Sequence, residues 1–248
     1  MSRTIVMSDI HGHYEPLMAL LSDVKYGSGD KLIFLGDYVD RGPDAARVVA
    51  TVKNLVETEN AVALAGNHEN LFLKWLWRME DRKRYLQIDG GKKTVKSFCK
   101  PYGISSYKVQ AKKCIFKNYR DEITFLKNLP LYYEDERHLF VHAGINPELD
   151  DWRQTSKRDF RWIRSAFWEK PQKTGKIIIH GHTPTVILHK DHYDVWLNND
   201  NQEINIDGGC HYGGWLHALV IEGNDYTAYS IDHTCSKRQV KKVPLTAV

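Results

Sequence analysis

The sequence has few cysteines, no long apolar run and no internal repeat, and each absence excludes a class of protein. Four cysteines in 248 residues lie far apart and form no Cys-x-x-Cys pair, which argues against a disulfide framework and a thiolate metal site. No apolar stretch approaches the ~20 residues that span a bilayer, and the first residues are too few and too polar for a signal peptide. We therefore expect a cytoplasmic protein with no membrane partner and with reduced cysteines at Cys99, Cys114, Cys210 and Cys235.

The composition is that of a folded globular protein. Hydrophobic residues make up 42% of the chain and charged residues 27%, so a chain of this length can bury a substantial core. We interpret residues 1–235 as a single domain and residues 236–248 as a polar, basic tail.

Charge is distributed unevenly along the chain, although the net charge is only +4. Between Lys74 and Arg120 there are 14 basic and 3 acidic residues, which leaves the remainder at −7. We predict a helical, basic insertion or cap at about 74–128, in which Trp75, Trp77 and Tyr85 serve packing. The charge marks either a solvated helical face or a surface that attracts phosphoprotein, nucleotide or nucleic acid. Nucleic acid is not favoured as a partner, because no known binding motif accompanies the charge.

The pattern of apolar residues indicates an α/β core followed by a largely antiparallel half. Short buried strands are predicted at residues 4–7, 31–35, 61–65, 139–142 and 176–179. Amphipathic helices are predicted at residues 15–24, 43–56 and 69–79. Four further strands are predicted at residues 185–188, 203–206, 216–222 and 226–231.

Each of the first five strands ends at a polar cluster. In α/β sheets ligands bind outside the carboxyl ends of the strands, so these clusters are the candidate site. They contain Asp, Asn and His, which are ligand types for divalent cations, beside glycines that allow sharp turns. Two such ions can hold the attacking and leaving oxygens of a displacement at phosphorus. The clusters lie at residues 9–12, 36–42, 66–69, 142–144 and 180–184.

Together the clusters resemble the calcineurin-like metallophosphoesterases, and within them the serine/threonine phosphoprotein phosphatase branch with its compact bacterial and phage members. The resemblance extends from Ile5 to about Leu219, with the segment between Glu69 and Leu139 matched only loosely. It implies an α/β (α+β) fold, a four-layer αββα sandwich with two mixed β-sheets and a helical insertion after the third strand. The site is then expected at the strand ends, on one rim.

The resemblance also implies two divalent metal ions as cofactors. We expect Mn, with Fe or Zn as alternatives, because His, Asp and Asn suit all three. The implied ligands are Asp9 and His11 at one ion, Asn67, His142 and His182 at the other, and Asp37 at both. His180 precedes the motif of His182 and is not an implied ligand. Pro184 stands where related nucleases carry a further imidazole, which favours a phosphatase over a nuclease.

Catalytic roles follow from the same resemblance. His68 would be the general acid that protonates the leaving oxygen, held by a hydrogen bond to Asp40. Arg41 would bind phosphate oxygens through its planar guanidinium. Asp40 matches protein phosphatases, since relatives that cleave diadenosine tetraphosphate symmetrically typically have Ala at this position.

Further substrate contacts are expected from later parts of the chain. A second phosphate-binding arginine is assigned to Arg164, with Arg161 as the alternative. Asn67 and Tyr212 are also expected to contact substrate, although a plain β-turn equally explains the glycines around Tyr212.

The first interpretation of function is therefore a dinuclear metal-dependent phosphatase acting on phosphoserine or phosphothreonine in proteins, by direct attack of a metal-bridging hydroxide. The alternative is a dinucleoside polyphosphate or nucleotide hydrolase of the same superfamily, with the basic, aromatic insertion holding the nucleotide. A non-catalytic scaffold on this fold is a third hypothesis, and the complete ligand set argues against it.

Overall fold

Two mixed β-sheets form the centre of the fold. The computed structural model describes residues 3–77, 82–87, 90–106, 110–198, 200 and 202–245. Within these residues the strands are β1 (Thr4–Met7), β2 (Lys31–Phe34), β3 (Ala61–Ala63), β4 (Tyr132–Glu134), β5 (His138–Val141), β6 (Ile177–His180), β7 (Trp196–Leu197), β8 (Glu203–Asn205), β9 (Trp215–Glu222), β10 (Asp225–Asp232) and β11 (Arg238–Lys242). The first sheet has the order β11-β10-β9-β1-β2-β3 and the second the order β4-β5-β6-β8-β7.

Helices cover the outer faces of the two sheets. They are α1 (Tyr14–Asp23), α2 (Ala45–Thr58), α3 (Asn67–Trp77), α4 (Arg82–Gln87), α5 (Gly91–Cys99), α6 (Gln110–Asn118), α7 (Arg120–Asn128), α8 (Asp159–Trp162), α9 (Ser165–Trp168) and α10 (Val186–His189). Helices α1 to α7 pack in one apolar cluster with the first sheet, and α8 and α9 pack with the second. The result is the expected four-layer αββα sandwich, with the helices α4 to α7 inserted after β3 and α3.

The alternation of side chains along β1 shows how one short strand joins two layers. Ile5 and Met7 belong to the cluster beneath the helices, whereas Val6 belongs to the cluster between the sheets. Val6 pairs in parallel with Ile33 of β2 and antiparallel with Leu219 of β9. Because both faces are buried, the strand is a continuous apolar run, and its position can therefore be predicted from the sequence.

Most predicted elements are confirmed, with ends that differ by up to two residues. The predicted helix at residues 43–56 begins later, since Asp44 is its N-cap and Pro43 precedes it. The predicted helix at residues 69–79 is α3, and its last two residues lie outside the described residues.

The strand predicted at residues 185–188 is wrong, because this segment forms helix α10. Its β-branched residues suggest a strand, but Ile187 is 56% exposed, and the amide N–H of Ile187 donates to Pro184 O in a helical turn. The helix lies in the connection between β6 and β8, which are parallel neighbours and therefore need a crossover.

Part of the segment interpreted as a polar tail is an edge strand. Residues of β11 pair antiparallel with β10, with Val240 opposite Tyr229. Its mostly exposed lysines, arginine and glutamine suit a sheet edge that must not pair with another chain, and the same residues look like a tail in the sequence. Among the described residues, no helix combines the length and apolar character needed to cross a bilayer.

We predict that Ile33→Ala lowers the free energy of unfolding by about 2–5 kcal/mol, because it leaves a cavity between the sheets. Ile33 is fully buried in the inter-sheet cluster. Urea unfolding is the measurement, with Val240→Ala on the exposed edge strand as the matched control. Equal losses in both variants would contradict this placement of the core.

Candidate active site

The loops that follow the strands hold several non-glycine residues in the left-handed region of backbone space. This conformation is uncommon for residues with a Cβ and concentrates at functional sites, where the surrounding structure enforces it. The site residues with positive φ are Asp9 (53°), His11 (46°), Asp37 (57°), Asp40 (71°), Arg41 (65°) and His182 (66°). Six of the nine non-glycine residues with positive φ in the described part of the chain therefore lie in the predicted polar clusters.

Asp37 lies at the centre of the site, between two groups of imidazoles. Its Oδ2 is 3.6 Å from His11 Nε2, and its Oδ1 is 3.5 Å from His142 Nε2. Two sets of buried side chains, each with ligand atoms within 4.8 Å of one another, share this carboxylate: His11, Asp37 and His68, and Asp37, His142 and His182. The pKa of Asp37 lies below its usual value; burial opposes ionisation, but His142 and His68 outweigh it.

The imidazoles of His11 and His142 are oriented as metal ligands are. The Nδ1 atom of His11 lies 2.8 Å from Val39 O, and that of His142 lies 3.0 Å from Leu35 O, so each Nδ1–H donates to a carbonyl. In the neutral ring, each Nε2 then carries a lone pair that faces the centre of the site. His11 Nε2 accepts from Arg41 Nη1 at 2.8 Å, which agrees with this tautomer because the guanidinium stays protonated.

Asn67 provides the test of whether these residues fit a cation. Its Oδ1 lies 2.9 Å from His142 Nε2 and 2.9 Å from His182 Nδ1. Because His142 Nδ1 donates to Leu35 O, Nε2 must carry a second proton to donate to this amide oxygen, and a cation bound by both atoms would take the place of that proton. The donor set of carboxylate, amide oxygen and imidazole suits such an ion.

Buried carboxylates crowd the other side of the site. Asp9 accepts hydrogen bonds from Ser8 Oγ (2.6 Å) and from the amide N–H of His182 (3.0 Å), and its Oδ1 lies 3.9 Å from His11 Nε2. Burial, together with the charge of Asp37, raises the pKa of Asp9. Burial and the charge of Asp9 raise the pKa of Asp207 well above its usual value. A cation at this position would stabilise the ionised form of both carboxylates. Asp207 was not selected from the sequence, where it stands only as the start of a glycine-rich loop.

The surroundings of His68 favour the protonated form of its imidazole. Its Nδ1 lies 2.7 Å from Asp40 Oδ2, and its Nε2 lies 4.0 Å from Asp37 Oδ2. Burial opposes protonation, but the charges of Asp37 and Asp40 outweigh it and raise the pKa of His68 to about 9. A protonated imidazole can therefore exist here at neutral pH.

The inserted helices supply two hydroxyl groups to Asp40, which no pattern in the sequence indicates. Tyr85 of α4 donates to Asp40 Oδ1 at 2.6 Å, and Thr94 of α5 donates to the same oxygen at 2.7 Å. The Thr94 hydroxyl also accepts from the Asp40 amide N–H at 2.7 Å. Both side chains are buried, so Tyr85 does more than the packing predicted for it. The insertion thereby fixes the carboxylate that holds His68.

Glu69 holds the loop after β2 in place. Its carboxylate accepts hydrogen bonds from the amide N–H groups of Asp37 (2.9 Å), Tyr38 (2.8 Å), Val39 (3.3 Å) and Gly66 (2.9 Å). Burial and the charge of Asp37 raise its pKa to about 8, and the backbone donors act in the opposite direction. Glu69 belongs to one of the predicted polar clusters, but this positioning role could not be predicted from the sequence.

A cavity of about 170 Å³ opens above these residues and is called the catalytic cavity below. Arg164 lines it and donates from Nη1 to Thr183 Oγ1 at 3.1 Å. Tyr212 is 54% exposed at its mouth, with its ring centroid 5.3 Å from the guanidinium carbon of Arg41. Arg161 lies outside the catalytic cavity. The lining residues are Asp37, Arg41, Asn67, His68, Leu71, Trp162, Arg164, His182 and Tyr212.

His180 takes no part in either imidazole group. It is buried, with its ring centroid 5.2 Å from that of Phe167, and burial lowers its pKa to about 4. Its position agrees with the expectation that His182, and not His180, belongs to the site.

We predict that Asp40→Asn lowers the pKa of His68 from about 9 toward the ordinary histidine value in the metal-free protein, because the variant removes one of the two charges that favour the imidazolium. An NMR titration of the imidazole protons measures this. Asp44→Asn removes the same charge from the N-cap of α2 and is the matched control. An unchanged pKa in Asp40→Asn would mean that Asp40 does not stabilise the protonated ring.

Several bacterial proteins are similar to this chain in sequence over most of its length. A bis(5'-nucleosyl)-tetraphosphatase PrpE [asymmetrical] from Anoxybacillus flavithermus is 29% identical over 240 residues, covering 86% of this chain and 88% of the relative. One from Oceanobacillus iheyensis is 26% identical over 247 residues, covering 90% of each.

Solved structures share the fold. The crystal structure of a protein proposed to be a diadenosine tetraphosphatase superposes with a TM-score of 0.63 at 21% identity. The match covers 92% of this chain and 93% of that one. A cold-active protein-tyrosine phosphatase from Shewanella has a TM-score of 0.59 at 18% identity, covering 97% and 80%. The model of the calcineurin-like phosphoesterase family matches residues 2–208. This chain therefore belongs to the calcineurin-like phosphoesterase family.

Proposed function

We propose that this protein hydrolyses a phosphoanhydride bond of a dinucleoside polyphosphate, with asymmetric cleavage of a tetraphosphate. The observation that supports this most is the similarity, over almost the whole chain, to relatives described as asymmetrical bis(5'-nucleosyl)-tetraphosphatases. The order of the two interpretations drawn from the sequence is thereby reversed, and phosphoserine or phosphothreonine becomes the second candidate.

Asp40 was the reason why a protein phosphatase was ranked above a dinucleotide hydrolase. The residue separates this chain from relatives that cleave diadenosine tetraphosphate symmetrically, and it was taken as evidence for a protein phosphatase. An asymmetric hydrolase is a third possibility that Asp40 does not exclude. Its hydrogen bond to His68 orients a proton donor for the leaving oxygen, whether that oxygen belongs to a phosphate or to an alkoxide.

We propose that two divalent cations bind at the centre of the site, with Mn as the first candidate and Fe or Zn as alternatives. Their ligands would be Asp9 and His11 on one side, Asn67, His142 and His182 on the other, and Asp37 between. When bound, such ions supply Lewis-acid activation of water and of the phosphoryl oxygens. The convergence of two imidazole nitrogens, from His142 and His182, on the amide oxygen of Asn67 supports this assignment.

The side chains of the catalytic cavity have separate tasks in this proposal. Arg41 and Arg164 bind the oxygens of the reacting phosphoryl group, whose charge their fixed guanidinium groups stabilise in the transition state. His68 donates a proton to the leaving oxygen, and Asp40 keeps the ring protonated and oriented. Tyr212 contacts the substrate at the exposed mouth. The cytoplasmic location stays a prediction of the sequence.

The test is a side-by-side measurement of kcat/KM on diadenosine tetraphosphate and on a phosphothreonine peptide, with Mn²⁺ present. We expect preference for the dinucleotide, with a nucleoside triphosphate and a nucleoside monophosphate as products, because cleavage is asymmetric. Asp37→Asn, which removes the carboxylate shared by both imidazole groups, measures the background. Preference for the peptide, or two equal diphosphate products, would overturn the proposal.

We further expect His68→Asn to slow alkyl phosphates by roughly 10²–10⁴-fold and aryl phosphates much less, because a phenolate leaves with little help from a general acid. Phosphothreonine and p-nitrophenyl phosphate are suitable substrates. Arg164→Met, which removes a phosphate-binding group instead, should slow both alike. If His68→Asn also slowed both alike, His68 would not be the general acid.

A further inference from the structure

A second cavity, of about 350 Å³, borders the catalytic cavity and is called the basic cavity here. Four of its six lining side chains are cationic, and none of them is acidic. They are Asn70, Lys74, Arg84, Arg158, Arg161 and Trp162. Trp162 lines both cavities, so the two are neighbours on one surface.

Helix α3 connects the two cavities. Its first turn places Asn67 and His68 in the catalytic cavity, whereas Asn70 and Lys74, one turn apart on one side of the helix, face the basic cavity. Lys74 is six residues beyond His68, or about 9 Å along the helix axis. The phosphorus atoms of an extended tetraphosphate span a comparable length.

The cations of the basic cavity come from three places in the chain. Arg84 lies on α4 of the insertion, and Arg158 and Arg161 lie at the start and end of the turn that forms α8. Arg161 is half-buried, and its Nε donates to Lys157 O at 2.9 Å, which fixes the guanidinium at the wall. The fold, and not one continuous stretch of sequence, therefore brings these cationic side chains together.

Three of the four cations that line the basic cavity have no ion-pair partner within the part of the chain that the structure describes. No carboxylate there forms an ion pair with Lys74, Arg158 or Arg161. Cations held together in a concave site repel each other and attract anions, and a polyanion relieves the repulsion at several of them at once.

We propose that the basic cavity binds the phosphates of a nucleoside polyphosphate that lie beyond the reacting phosphoryl group. The proposal rests on the proposed function and extends it, since it states how the site distinguishes substrates. A phosphate monoester fills the catalytic cavity alone, whereas a polyphosphate also reaches Lys74 and the arginines. The insertion thus contributes to specificity through Arg84, and α3 through Lys74.

The test compares diadenosine tetraphosphate with p-nitrophenyl phosphate in Lys74→Met and Arg158→Met, both at exposed positions. We expect the ratio of kcat/KM for the dinucleotide to that for the aryl phosphate to fall at least roughly tenfold in each variant, the loss typical of one charge-assisted hydrogen bond. Lys117→Met removes the same charge from an exposed position of α6 that lines neither cavity, and should leave the ratio unchanged.

Two results would overturn the assignment of the basic cavity. One is an unchanged ratio in both variants. The other is an equal loss on an acidic phosphothreonine peptide, which would make the cavity a peptide site.

A further arm separates failure of this proposal from failure of the proposed function. If the wild-type protein does not hydrolyse diadenosine tetraphosphate, the proposed function fails. The basic cavity is then tested with inorganic tripolyphosphate, in excess Mg²⁺, as an inhibitor of p-nitrophenyl phosphate hydrolysis. An inhibition constant that rises about tenfold in Lys74→Met supports the cavity, and an unchanged constant contradicts it.

Discussion

The carboxylate of Asp37 is buried between two groups of imidazoles, and much of the structure around it compensates for a charge in that position. An isolated buried carboxylate is strongly unfavourable, so opposite charges and hydrogen-bond donors must surround it. His68 supplies one of those donors, from its amide N–H to Oδ1 at 3.0 Å. Glu69 fixes the backbone on either side of Asp37. The loops after β2 and β3 are thereby held as one unit, in which the proposed metal ligands and the proposed proton donor keep their spacing.

The helical insertion is part of this unit and not merely attached to it. Tyr85 and Thr94 reach Asp40 from helices that the sequence marks only as basic and aromatic. Gly91 lies so close to Tyr85 that a Cβ at this position would be 2.2 Å from the ring. The hydroxyl of Tyr85 therefore reaches Asp40 only because α5 begins with a residue that has no side chain.

The residues that local motifs specify could be predicted, and those that depend on long-range packing could not. The turns that carry Asp37, Asn67 and His182 follow buried strands, and both the strands and the turn residues are visible in the sequence. Tyr85 and Thr94 lie 45 and 54 residues from Asp40, so their contact depends on how the insertion folds back.

Other failures of prediction have equally specific causes. The segment at residues 185–188 has the β-branched composition of a strand, yet the connection between parallel strands makes it helical. Substrate preference could not be derived from Asp40 alone, because Asp40 is fully buried behind His68 and does not line the catalytic cavity.

The left-handed residues of the site have a consequence for the stability of the whole domain. A non-glycine residue held in that conformation costs on the order of 1–3 kcal/mol, and a typical domain is stable by only about 5–15 kcal/mol. Asp9, Asp37 and His182 combine this conformation with burial. A ligand that binds only the folded chain contributes stability by mass action, in proportion to the logarithm of its free concentration. The supply of cations in the cell would then govern how long each protein molecule survives proteolysis, as well as how fast it hydrolyses its substrate.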